Sequence, residues 1–169
     1  MWSSEVTNMI IAGIGETLYM TLVSTIAGYI IGLPMGIVLT VSDKDGIRPN
    51  SFIYKILDVI VNIVRSIPFI ILLVLLIPFT RFLVGKSYGS TATIVPLVVA
   101  AAPYISRFVE SSLKEVDAGV IEAARSMGAS DFDIVTKVLP VEARTSLLVG
   151  ATISLGTILG YSAMSGAVG

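Results

Sequence analysis

Residues able to do chemistry are few in this chain, and their types say which chemistry is open to them. Cysteine and histidine are both absent. Their absence removes disulfide frameworks, His/Cys zinc sites and Ser-His or Cys-His nucleophilic catalysis together. No G-x-x-x-x-G-K-[ST] loop occurs that would cradle phosphates. The charges that remain close together lie in residues 122–140, EAARSMGASDFDIVTKVLP, where Glu122, Arg125, Asp131, Asp133 and Lys137 stand between two long apolar runs. An enzyme could still be built from carboxylates and lysines, but the stock is thin, and these charges can equally recognise and hold another surface. No catalytic residue and no metal ligand is assigned.

The spacing within this segment predicts a helix over 117–127, with Val120, Ala124 and Met127 on one face and Ile121 beside them. Glu122 and Arg125, three apart, pair on the other flank. Gly128 is placed to form a left-handed C-terminal cap. Ser130, three residues before Asp133, opens a second helix in the manner of a capping box. That helix carries Ile134, Val135, Val138 and Leu139 to one side, and Pro140 opens the helix after it, where a first-turn proline costs little. The segment reads as a rigid helix–turn–helix knuckle rather than an unpatterned connection. Its apolar stripe has two readings: it seats in another protein's groove, or it folds back on the ends of the neighbouring runs.

The elements that must position this knuckle are apolar. The 169 residues are 54% hydrophobic and 14% charged, against roughly 25% charged in soluble domains. So little charge cannot cover a water-facing surface, and lipid is the solvent implied. The net charge of −1 argues against a nucleic-acid partner, which wants a basic stripe. Four stretches are long enough to cross a bilayer, over about 12–41, 54–83, 87–114 and 141–167, giving a single all-α transmembrane domain over 1–169. No Lys or Arg precedes Lys44, so the first run is a resident helix and not a signal peptide. Lys44, Arg48 and Lys55, with Arg107, Lys114, Arg125, Lys137 and Arg144, fall on one side; Arg81 and Lys86 fall on the other. By the positive-inside rule the N-terminus lies outside and the knuckle, 117–140, is cytoplasmic.

Within the runs, Gly28, Gly32 and Gly36 recur on one face, open to close packing inside the chain or to a dimer contact. Pro34 is expected to bend that helix. Pro68, Pro78, Pro96 and Pro103 suggest irregular helices around a cavity, although proline is also common in membrane helices. The last run carries Gly156 and Gly160 on one face, then Tyr161, Ser162, Met164 and Ser165, a polar and flexible patch suited to a constriction; a packed Met is otherwise plain filler. Arg65 is a charge within a span. Asp58 and Glu110 are its candidate partners, unless it snorkels at the boundary.

At Glu122-Ala123-Ala124, three residues, then Gly128, the chain resembles the EAA loop of permease subunits in ATP-driven (ABC) importers. The second half of that motif departs from the usual spacing, reading Val138-Leu139-Pro140. Arg65-Ser66-Ile67-Pro68, in NIVRSIPFIILLVLLIPFTRFLVG, resembles the matching segment of amino-acid importer permeases. With IVPLVVAAAPYISRFVE and GYSAMSGAVG the likeness is greatest to methionine importer permeases, and it covers nearly the whole chain. The resemblance implies a polytopic helical bundle of the type I importer permease kind in a bacterial inner membrane. Four spans are visible, and a fifth, expected of the family, is absent, through a shortened product or a lost helix. It implies a homodimer with a second permease subunit, two ATP-binding subunits that bind ATP and Mg, and an extracytoplasmic methionine-binding lipoprotein; this chain itself carries no cofactor. Carried over, Glu122, Ala123, Ala124, Gly128, Val138, Leu139 and Pro140 form the coupling surface. Tyr161, Ser162, Met164 and Ser165, with Arg65, Ser66 and Pro68, line the path, and Met164 is a candidate gate. A stand-alone channel or carrier, a non-transporting membrane scaffold and a permease for another amino acid stay open as alternatives.

Overall fold

Helix α1 (Ser4–Ser42) is inside out by the standard of a water-soluble helix. Apart from Met20 and Leu39 its buried residues are small or polar, among them Thr21, Ser24, Thr25, Gly28, Gly32 and Gly36, while Ile26 and Ile30 are 62% and 70% exposed. Lipid rewards this arrangement, because hydrocarbon gives no drive to bury isoleucine and close approach of backbones supplies the attraction instead. The computed structural model describes residues 3–165; the last turn expected of the fourth run, 166–167, lies outside them.

The glycine face of α1 packs within the chain, against α5 (Ser90–Lys114). A Cβ on Gly28 would sit 2.9 Å from Ala101 Cβ, one on Gly32 2.6 Å from the Ala102 carbonyl oxygen, and one on Gly36 2.6 Å from the Ser106 carbonyl oxygen. Of the two readings of these glycines, the contact inside the chain is the one observed. Helix α5 is central, touching α1, α2 (Ser51–Ser66), α3 (Phe69–Leu75), α4 (Ile77–Val84) and α9 (Arg144–Ser165). Helices α1, α5 and α9 are each long and apolar enough to cross a membrane. The expected 54–83 span is instead broken: α2 and α3 meet at 102°. Ile67 and Pro68 are both extended there, because proline restricts the residue before it and cannot continue the helix. By contrast α5 runs unbroken through Pro96 and Pro103, so the interruptions lie at Ile67–Pro68 and Leu76 and not where those two prolines suggested.

The knuckle follows α5. Helix α6 (Ala118–Ser126) is capped by Asp117, whose carboxylate accepts from Gly119 N at 2.7 Å. It ends where Gly128 N donates to Arg125 O at 2.9 Å and Ala129 N to Ala124 O at 3.0 Å. These two bonds make a Schellman cap, which needs the left-handed φ of +89° that Gly128 supplies. Ser130 then caps α7 (Asp131–Asp133), its hydroxyl oxygen 3.2 Å from Asp133 N. A π-helical turn, Ile134–Val138, comes next, with Leu139 N donating to Ile134 O. The residue after Leu139, Pro140, has no N–H to continue the usual ladder, so the five-residue spacing falls where the four-residue one must fail. Pro140 is in the first turn of α8 (Leu139–Glu142), as expected. Backbone bonds from Ala143 N to Leu139 O and from Leu147 N to Ala143 O, both 2.9 Å, carry the ladder on into α9.

The apolar stripe of the knuckle faces inward. Ala124 is 6% exposed, Ile134 0% and Leu139 1%, in one core with Ile105, Val109 and Leu113 of α5. The docking reading of that stripe is therefore corrected to the fold-back reading. Met127, expected on the stripe, is 82% exposed, because α6 stops at Ser126 and Met127 is the turn residue beyond it.

Candidate functional site

Two regions gather the chain's polar chemistry. The first is the end of the bundle where α1, α2, α5 and the knuckle converge. Arg48, in the α1–α2 connection, bonds Asp131 at 2.8 Å, and Arg125 lies 3.4 Å from the same carboxylate. Beside Arg48 the Asp131 carboxyl is held below the usual carboxylate range. Lys137, with help from Ser130, lowers Asp133 to about 2. This clasp fixes the start of the second knuckle helix to the loop after α1. The sequence suggested a Glu122–Arg125 pair; Arg125 is spent on Asp131, three-dimensional neighbours having won over helical spacing.

Deeper at the same end, Glu110 is 5% exposed and every face of its carboxylate is used. Arg107 reaches it at 2.7 Å, Lys114 at 2.7 Å and the Tyr54 hydroxyl at 3.2 Å. Arg107 also donates to Asp58 and, at 2.9 Å, to the side-chain amide oxygen of Asn62. Lys114 continues to Asp43 at 2.7 Å, holding that carboxyl below its ordinary range. The network stitches α1, α2 and α5 together. A carboxylate this enclosed is tolerable because paired cations and a hydroxyl satisfy it. Asp58 and Glu110, the candidate partners of Arg65 unless it snorkels at the boundary, both bind Arg107, and Arg65 makes no ion pair among the described residues. The signal was present as Arg107-x-x-Glu110, an i,i+3 pair within one helix.

The second region is a cavity of roughly 160 Å³ between the α2–α3 break, α5 and α9, lined by Arg65, Phe69, Leu72, Ala100, Tyr104 and Tyr161 among others. Phe69 and Tyr161 stack with ring centroids 4.7 Å apart. The Tyr104 hydroxyl is 3.1 Å from that of Thr157, and its ring meets Phe108 edge to face. Arg65 and Tyr161, far apart in sequence, thus line the same cavity. Ser66 and Pro68 are exposed and do not line it, Ser162 and Ser165 are buried and bond back to Leu159 O and Ser162 O, and Met164 is 48% exposed.

Of the knuckle residues, Glu122, Ala123 and Gly128 face outward with Met127, Val138 and Pro140 are half-buried, and Ala124 and Leu139 are buried. The outward side of α6 and its cap therefore includes Glu122, Ala123, Arg125, Ser126, Met127 and Gly128. Spacing did not reveal Ser126 and Met127, since Met127 has the residue type of the opposite face.

Comparison with known proteins places these features in a family. The model of the binding-protein-dependent transport system inner membrane component family matches residues 28–169. The D-methionine transport system permease protein MetI of Escherichia coli (strain K12) is 54% identical over 158 residues, covering 94% of this chain and 73% of that protein. The probable D-methionine transport system permease protein MetI of Vibrio cholerae is 41% identical over 168 residues, covering 99% and 75%. A solved structure of inward facing conformations of the MetNI methionine ABC transporter superposes with a TM-score of 0.96 at 52% identity, covering 99% of this chain and 78% of that one. An amino acid ABC transporter crystallised with histidines gives a TM-score of 0.76 at 22% identity, a likeness of fold alone.

Proposed function

We propose, from the premise that the chain belongs to the family of inner membrane components of binding-protein-dependent transport systems, that it is the membrane permease subunit of an ATP-driven methionine importer. It is a transporter subunit and not an enzyme; hydrolysis belongs to a separate ATPase. The reading is supported by relatives named as D-methionine transport permeases and by the likeness to the MetNI transporter. Its partners are two copies of an ATP-binding subunit, which hold ATP and Mg, and a second copy of the permease; an external methionine-binding lipoprotein delivers the substrate. The chain is a multi-pass inner-membrane protein, and the basic residues at the knuckle end support a cytoplasmic position for that end.

The observation that carries the mechanism is the knuckle's two-sidedness: one face is built into the bundle core, the other is free. ATP binding closes the two ATPase subunits, each gripping an outward face of Glu122, Ala123 and Met127. The motion passes through the Schellman cap and the clasp Arg48–Asp131–Arg125 into the α7–α9 rod and the α1–α2 connection. A rigid rod carries displacement, and the α2–α3 break is where the bundle yields. The path opens alternately around Arg65, Ser66, Pro68 and the Tyr161–Ser165 turn, with Met164 as gate. The test is to purify the permease from detergent and reconstitute it. An ATP-binding subunit is expected to co-purify, with ATP-dependent methionine uptake into vesicles. A permease that purifies alone and passes methionine without ATP is a stand-alone carrier, and one that passes none under any condition is a scaffold.

A further inference from the structure

We propose that the groove where the end of α1, the start of α2 and the second half of the knuckle meet is a binding site for an anionic phospholipid, its acyl chain against Ile37, Val38 and Phe132 and its phosphate at Arg48 and Asn50. The inference needs only that the chain lies in a membrane, and it holds whatever the permease carries.

The groove encloses roughly 500 Å³, within the ~300–1,000 Å³ of ordinary ligand sites. Its lining divides by polarity. Ile37, Val38 and Val41 of α1, Ile53 of α2, and Phe132 and Val135 of the knuckle make the apolar part; Arg48, Asn50 and Asp131 make the polar part. Residues 17–41 hold no charge, and Asp43, Lys44, Asp45 and Arg48 follow at once. Because α1 is long and apolar enough to span, this change of composition marks where hydrocarbon gives way to headgroups. Ile37, Val38 and Val41 stand before that boundary and Arg48 and Asn50 after it, so the groove crosses it.

Exposure points to lipid as the occupant. Phe132 is 74% exposed, although it stands between Asp131 and Asp133. In water a bare phenylalanine forfeits its transfer free energy, and against an acyl chain it does not. A water-soluble partner reaches Phe132 but not Ile37 and Val38, which belong to the uncharged run. An acyl chain reaches all three.

Charge selects the headgroup. Asp131, the one carboxylate of the lining, meets two guanidiniums, Arg48 at 2.8 Å and Arg125 at 3.4 Å. That leaves one positive charge in excess. The nearby carboxylates Asp43, Asp45 and Asp133 each bond a lysine and do not cancel it. Arg48 spends only its Nε on Asp131, so its two terminal nitrogens stay free among the described residues and suit the oxygens of a phosphate. Asn50 caps α2 with its side-chain oxygen, accepting from Phe52 N and Ile53 N, which leaves its amide N–H groups as further donors. A zwitterionic lipid brings a cation of its own to this end; an anionic lipid does not.

The test places the full chain, with whatever subunits co-purify, in phosphatidylcholine vesicles holding a trace of photoreactive lipid. The probe carries a diazirine on its acyl chain and either a phosphatidylglycerol or a phosphatidylcholine headgroup, and labelled peptides are quantified by mass spectrometry. Wild type is expected to be labelled at 37–41 and 132–135, with phosphatidylglycerol ahead about fivefold, the worth of one cation near a membrane surface. Arg48→Gln and Asp131→Asn break the same ion pair, so a merely structural effect moves them together. The site requires them to part: Arg48→Gln brings the two probes level, and Asp131→Asn widens the preference. Val38→Trp, which fills the groove, is expected to lower labelling by both probes. A wild type without preference, or charge variants that shift the ratio the same way or not at all, overturns the headgroup site and leaves ordinary surrounding lipid. If 37–41 and 132–135 stay unlabelled while other apolar helices are labelled, a protein covers the groove and the proposal falls.

Discussion

Single residues here act through backbone geometry and charge pairing, and the two were not equally readable. Gly128 could be identified from spacing alone, since a left-handed residue after a helix is a local requirement. A Cβ there would meet nothing within 4 Å, so substitution costs only the φ of +89°. Gly128→Val should therefore cost about 1–2 kcal/mol in the knuckle and reduce methionine-coupled ATPase turnover in the assembled complex. Coupling at the parent level would show that the cap is not part of force transfer. Asp133 offers a pH readout. Its carboxyl titrates near 2 instead of the ordinary 3.8 because Lys137, then Ser130, stabilise the charged form. A depressed acid contributes its stability above the unfolded value, and that contribution is lost as pH falls through the folded value. The Asp133–Lys137 contact should hold at pH 5 and dissolve between about 4 and 2; Lys137→Met should move the NMR-detected midpoint up toward 3.8. The partners of Arg107 could not be read in this way. Which of Arg65 and Arg107 takes Asp58 depends on how α2 leans on α5, which only the tertiary structure shows.

For whole elements, the α1–α5 seam is the main packing surface, and its glycines follow a rule that sequence supplies only in part. Spacing identified the face Gly28-Gly32-Gly36, yet whether it meets another part of the chain or a second copy is decided by where α5 runs. On the observed packing, Gly36→Ala puts a methyl 2.6 Å from both the Ser106 carbonyl and Val109 Cβ. It should cost about 1–3 kcal/mol through overpacking, measured by chemical denaturation in detergent. Gly156→Ala, with nothing within 4 Å of the added carbon, should be neutral or stabilise by roughly 0.5–1 kcal/mol unless the partner permease packs there. If Gly36→Ala is the milder of the two, the seam is misassigned. The broken second span was half legible: Pro68 marked the place, but the 102° turn also needs α5 and α9 to receive α3. The apolar stripe misled because a periodic pattern fixes which residues share a face and not what that face meets.

Across the molecule, the proposed coupling role assigns stability and coupling to opposite faces of the same knuckle, so mutations should separate them. The inner face, through Ala124, Ile134 and Leu139, belongs to the core, and the ion network around Glu110 binds α1, α2 and α5 beside it. Glu110→Leu leaves Arg107 and Lys114 without their shared partner; Asp58 and Asp43 still hold them. It should destabilise the purified permease by about 3 kcal/mol, within the range for removing one side of a buried pair. The outer face contributes little to folding: Ala123 is exposed and Met127 is 82% exposed. Met127→Ser with Ala123→Asp should shift stability by no more than about 0.5 kcal/mol. The same pair should weaken capture of the ATPase subunit about tenfold or more, because a buried contact is lost and a charge is stranded at the docking face. Pull-down of the ATPase subunit beside a denaturation curve reads both quantities in one preparation. If stability falls while capture holds, the outer face is structural, force must enter the bundle elsewhere, and the clasp at Arg48 and Asp131 becomes the next place to look for the grip.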